Sequence, residues 1–181
     1  MGVSISEDEE SDAKFAAETQ VFDSDFMMSN TFDPEVMLRY NRRVVSKYGF
    51  SQASWNGANN KWPGTGGTLE RVIGVEKTPE GSQVTICSFD SPGLFDVVEG
   101  KPTHDPGSPH TISAQILTVA RTTAPSAAGG NQPEENPRPL VVSVANAVPN
   151  NESPGVLCNK FAPDPFIQSP PAPLPVSAGH K

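Results

Sequence analysis

No stretch of the 181 residues approaches the roughly 18–20 apolar positions that a membrane-spanning helix needs. Basic residues are scarce: 13 Lys and Arg stand against 21 Asp and Glu, for a net charge of −8. That deficit excludes the phosphate-neutralising surface on which nucleic-acid affinity rests, and it disfavours anionic membranes. Catalytic motifs are missing too. There is no GxGxxG, no P-loop and no HExxH, so no cofactor is expected. The histidines are His104 and His110, in a proline-rich stretch, and His180 near the end. None sits on an element rigid enough to hold the geometry of a nucleophilic triad. His104-Asp105 with His110 reads as an exposed loop group rather than a metal site. Cys87 and Cys158 have no Cys or His at ligand spacing, which also argues against a metal.

What remains is a modest core with much loop. Hydrophobic residues make up 35% and charged residues 19%, beside 19 Pro and 15 Gly, so the packed body is smaller than the chain. The length suits one domain. Five of the acids fall in residues 1–12, with no Lys or Arg, leaving 13 basic against 16 acidic residues in a nearly neutral body. Ser6 with Glu9 is a capping box, and the acids around it suit the positive end of a helix dipole. Phe15, Phe22 and Phe26, flanked by Ala17 and Val21, give a helical stripe over 7–28. Asp33-Pro34 starts a second helix over 34–48, with Val36, Met37, Tyr40 and Val44 inward. Its basic stripe Arg39, Arg43, Lys47 is a solvated face or pairs with the first helix's acids. Residues 51–68 form a loop of turn formers. Within it, Trp55 and Trp62 either stack on a flat ligand or cover an edge of the core. Gly64-Thr-Gly-Gly67 follows no strand and is a poor phosphate cradle.

From residue 69 the period becomes two. Strands are expected at 69–77, 82–90, 94–99, 111–122 and 140–148, with a short extended piece at 156–161. Pro79-Glu-Gly81 and Ser91-Pro-Gly93 are the turns, and 100–110 and 124–139 the loops. The body runs 7–161 as an α+β domain, with two N-terminal helices packed on a curved antiparallel sheet of five or six strands. Residues 1–6 are expected to be disordered. Residues 162–181 form a Pro-rich extended tail with Phe166 and Ile167 against the body, or a docking peptide for a proline-reading groove. Cys87 and Cys158 lie in apolar strand-like runs and are either buried thiols or one disulfide across 71 residues. Two lone cysteines with many Ser, Thr, Asn and Pro point to an extracytoplasmic chain whose leader is absent, the alternative being cytoplasmic. Met1-Gly2 with Ser6 and Asn151-Glu-Ser153 match lipidation and glycosylation patterns only formally.

Two helices over Phe15–Phe26 and Asp33–Tyr48, followed by Leu69–Lys77, Val84–Phe89, Ile112–Arg121 and Leu140–Val148, resemble the NTF2-like cone superfamily. That superfamily includes ketosteroid isomerases and polyketide cyclases. The Pro-rich ending Phe161-Ala-Pro-Asp-Pro-Phe-Ile is similar in style to cone domains of the actinobacterial cell envelope. The resemblance implies a cone with a small apolar pocket. Enzymes of the superfamily use an inward Asp or His, and the strand-borne candidate here is Asp90. The leading expectation is a non-enzymatic binding or accessory domain for a small apolar ligand or a protein partner. The alternatives are an isomerase- or cyclase-type enzyme and a surface-assembly protein. The candidate ligand residues are Trp55, Trp62 and Asp90.

Overall fold

A computed structural model describes residues 6–28, 32–55, 64–130, 132–150 and 152–171. Trp62, Asn151, His180 and the tail from 172 lie outside the described residues. The chain is α+β, with N-terminal helices, then a five-stranded antiparallel sheet that does not close, then a C-terminal segment laid across it.

Helix α1, Glu7–Met28, begins at the capping box. The Ser6 amide donates to Glu9 Oε2 at 2.8 Å and the Glu9 amide donates back to Ser6 Oγ at 3.3 Å. The Ser6 amide and the Ser6 hydroxyl, both donating to Glu9 Oε2, hold that carboxyl below its usual range. The buried stripe runs through Asp12, Ala13, Ala16, Thr19, Gln20 and Phe26. Its small residues bring the helix backbone close to the sheet. Val21, expected on this face, lies off the stripe and is 42% exposed.

Helix α2, Pro34–Asn41, is shorter than the 34–48 expected. Asp33 caps it through the amides of Glu35 and Val36. The helix stops because Val44 and Val45 are claimed by the sheet. Val44 bridges Val141, Val45 N–H donates to Val141 O at 3.1 Å, and Val141 N–H donates to Arg43 O at 2.8 Å. β-Branched residues gain more there than in a helix. The Asn41 amide clamps the exit, donating to Phe50 O and accepting from Phe50 N–H. Arg43 therefore leaves the basic stripe. It packs 4.3 Å over the Phe15 ring and pairs with Glu18 of α1.

The strands are β1 Gly64–Thr78, β2 Gly81–Val98, β3 Lys101–Thr103, β4 Thr111–Thr122 and β5 Arg138–Asn146, in the order β1-β2-β4-β5 with β3 on the end of β2. Three expectations change here. The glycine run Gly64–Gly67 is strand, not loop, and pairs with Gly93–Asp96. The two strands expected either side of Ser91-Pro-Gly93 are one, with residues 90–92 accommodated where the pairing jumps from Leu69↔Phe89 to Gly67↔Gly93. Part of the 100–110 loop is β3, hydrogen-bonded to β2. Gly81 closes the β1–β2 hairpin at φ +142°, and a Cβ there would stand 2.2 Å from Val119 O.

Alternation along β2 sends side chains to two covered faces. Val84 and Ile86 join Leu117, Val119 and Val141 under α1, Tyr40 and Val44. Cys87, Phe89 and Ala114 face the other way, under Leu157, Cys158, Phe161 and Phe166. The expected strand 156–161 is instead a helical turn, α3 Gly155–Cys158, continued by a 3₁₀ turn. Helical spacing is what lays Leu157, Cys158 and Phe161 together on the sheet. The sulfurs of Cys87 and Cys158 stand at disulfide distance, 1.99 Å, and both residues are fully buried.

Candidate functional site

Two clusters contain the residues with chemistry. The first lies where the C-terminal half of α1 meets β1. Rings run in contact from Tyr40 to Trp55. Tyr40 stacks on Phe50 at 4.3 Å, Phe50 on Phe26 at 4.6 Å, Phe26 meets Phe32 edge-on at 6.3 Å, and Phe32 meets Trp55 at 6.1 Å. Tyr40 and Phe26 are buried, whereas Trp55 is half-buried. The α2 and α1 spacings put Tyr40 and Phe26 inward, and Asn41 fixes Phe50 between them.

Carboxylates border this run. Glu70 on β1 accepts from three hydroxyls: Ser24 at 3.1 Å, Thr68 at 3.0 Å and Ser88 at 2.6 Å. Ser113 donates in turn to Ser88 at 2.9 Å. Burial raises the Glu70 carboxyl, and the three hydroxyls partly offset it. Asp23 on α1 has Gln20 Nε2 at 3.3 Å. Burial, then the charge of Glu70, push its carboxyl up to about 6. The Tyr40 hydroxyl is raised by burial and by the nearby Asp23 charge. A carboxyl that titrates near neutral pH beside a tyrosine and apolar rings can take or give a proton, or hold a cationic group.

The second cluster is built on Asp90. Its side chain is 3% exposed and hydrogen-bonded at both oxygens. Oδ1 accepts from Leu94 N–H at 2.7 Å, and Oδ2 accepts from His104 Nε2 at 2.7 Å and Gln168 Nε2 at 3.0 Å. Ser169 N–H donates to Pro92 O at 2.7 Å, and Phe166 stacks on His110 at 4.0 Å. Both histidines lie in the loop after β3, as expected, and His110 is exposed, yet His104 is held against Asp90 and His110 stacks on Phe166. These contacts recast Asp90. With three bonds accepted from its own chain, the carboxylate acts as a clasp for the C-terminal segment. Phe166 packs as expected, but Ile167 is 53% exposed.

Of the residues expected to bind a ligand, Trp55 and Asp90 are thus on different clusters, and Trp62 lies outside the described residues. Sequence reasoning missed Asp23, Tyr40, Glu70, His104 and Gln168. The signal for Asp23 was present: an acid held between Phe22 and Phe26 on an inward helix face. An open cleft of about 340 Å³ lies elsewhere, lined by Arg42, Ser126, Ala128, Gly129, Glu134 and Arg138. Arg138 there is tied to Glu134 and to Arg42 O. Among the described residues no three His, Cys, Asp or Glu side chains are grouped to hold a metal, and no helix is long and apolar enough to cross a membrane.

No protein-family model matches the sequence, and neither the curated proteins nor the solved structures yield a match.

Proposed function

We propose that the chain is a non-enzymatic extracytoplasmic binding domain of the NTF2-like cone type, its two helices packed on a curved sheet. It takes a small apolar or flat-ringed ligand at the Trp55 end of the ring run. The observation that carries this is the contact of five rings from Tyr40 to the half-buried indole of Trp55. The inner rings hold Phe32 in place and Phe32 packs against the indole, so the aromatic surface is pre-ordered and takes a ligand at small entropic cost. The cysteine pair at disulfide distance supports an oxidising compartment.

The test is titration of the intact, oxidised protein with the apolar fluorophore N-phenyl-1-naphthylamine. Saturable binding is expected. Trp55→Ala should weaken it by about tenfold, the cost of one lost ring stack, while leaving the urea midpoint unchanged. Equal binding by the variant, or none by the wild type, removes this reading.

One observation favours a second reading, an isomerase-type enzyme. Asp23, with its carboxyl near 6 beside Tyr40, has the proton affinity of a general base at neutral pH. Such an enzyme would exchange the α-protons of an enolisable cyclic ketone for deuterium, and Asp23→Asn would abolish the exchange. Exchange no faster than buffer with the wild type rejects it.

A further inference from the structure

β1 is an edge strand of 15 residues, and over Leu69–Lys77 no strand among the described residues pairs with its outer side. Edges of this length usually carry a device against chance pairing. Here the charges are not of one sign. They read Glu70-Arg71 at one end and Glu76-Lys77 at the other, with Val72 and Val75 inside them.

Laid antiparallel against itself about the midpoint between Ile73 and Gly74, the strand is self-complementary. Arg71 falls opposite the partner's Glu76, Glu70 opposite the partner's Lys77, and Val72 opposite the partner's Val75. A regular strand could not use this register. Residues five or seven apart would point to opposite faces, whereas directly opposed residues in an antiparallel pair share a face. The irregularity between Val72 and Gly74 removes the conflict. With it, Val72 and Val75 both pack with the α1-side core, and Glu70 and Lys77 both bond to α1, through Ser24 and Asp12. Arg71 lies on the other face, donating to Phe161 O, and Ile73 packs there as well. Alternation from Val75 places Glu76 on that same face, exposed to solvent.

We propose that β1 is the interface of a two-fold symmetric homodimer, formed by edge pairing of Leu69–Lys77 in this register. Such an interface is isologous: every contact occurs twice. Glu70 and Lys77 are already committed within each subunit, so the pair that fixes register is Arg71 with the partner's Glu76. Arg71 keeps donors for it, because one bond to Phe161 O leaves the rest of the guanidinium fork. The dimer would extend two open sheets into one and remove the exposed edge from each.

The experiment is sedimentation equilibrium on the full oxidised chain, at concentrations spanning the micromolar range. The expected mass is twice the 19.2 kDa of one chain. Glu76→Arg places like charges opposite each other at two symmetric positions and should weaken association by roughly tenfold. Screening by about 1 M salt should recover much of that loss. The swap Arg71→Glu with Glu76→Arg should restore the dimer, with far-UV circular dichroism confirming that each variant is folded. A folded wild type that sediments as 19.2 kDa throughout overturns the proposal. So does a Glu76→Arg variant that associates as well as the wild type at low salt.

Discussion

Replacing Asp23 with asparagine should stabilise the protein at neutral pH, by an amount the structure bounds. In the fold, burial and the neighbouring Glu70 raise the carboxyl from 3.8 to about 6. A raised carboxyl means that the folded chain holds its proton more tightly than the unfolded chain does. Between about pH 4 and 6 the folded state therefore binds more protons, and stability falls as pH rises. The contribution is complete below 3.8 and lost above about 6. The difference corresponds to roughly 3 kcal/mol. That is an upper limit, since the side chain keeps some contact with water. The asparagine side chain has nearly the same shape and no charge. It should leave stability unchanged at pH 4 and raise it by about 1–3 kcal/mol at pH 8. Urea unfolding at half-unit steps from pH 4 to 8, for both proteins, tests this. The wild-type curve should decline towards neutrality and the variant's should be flatter. Some slope will persist, because Glu70 is raised in the same direction. A variant equally or less stable than wild type at pH 8 would show that Asp23 is not a buried, repelled charge.

Three further outcomes are expected. Replacing both cysteines by serine frees a loop of 71 residues and should cost roughly 4 kcal/mol in the chain-entropy model, read as a lower urea midpoint. Two alkylatable thiols in the unreduced wild type would contradict this. His104→Ala removes one of the donors to buried Asp90 and should cost about 1–3 kcal/mol. It should also speed amide exchange at Gln168 and Ser169. Unchanged exchange there would refute the clasp. Gly81→Ala should cost about 2 kcal/mol or more in thermal unfolding, because the backbone conformation and the Val119 carbonyl both reject a Cβ. A loss below about 0.5 kcal/mol, the range of an ordinary surface change, would count against that close approach.

The parts of the fold that were legible are those whose signals are local. Ser6 and Glu9 lie within a single helical turn, so the start of α1 could be read from two residues. The period-two runs at 111–122 and around 84–89 likewise needed only near neighbours. Other boundaries were lost where a distant partner outbid a local preference. Val44 and Val45 continue an acceptable helical pattern, yet Val45 N–H donates to Val141 O and Val44 O accepts from Ala127 N–H, both more than eighty residues away. Gly64–Gly67 and Ser91-Pro92-Gly93 are turn formers by composition. Gly64–Gly67 is drawn into strand because it faces Gly93–Asp96 across β1 and β2, with Ser91-Pro92 carried where that pairing jumps. Asp90 could be singled out as a strand-borne acid. What it does depended on His104 and Gln168, which lie 14 and 78 positions away in sequence.

By itself, then, the sequence determined the α+β class, the first helix, the two-residue period of the sheet and the single possible cysteine pair. These follow from spacing along the chain and from capping groups within a few residues of each other. Tertiary structure alone decided that Cys87 meets Cys158, that Asp90 is a clasp, and that Trp55 joins a run of packed rings. It also decided that Asp23 and Glu70 share a half-dry corner. The reason is physical: burial and long-range hydrogen bonding depend on what the rest of the fold brings alongside. A carboxyl's proton affinity or a ring's exposure exists only once those neighbours are in place.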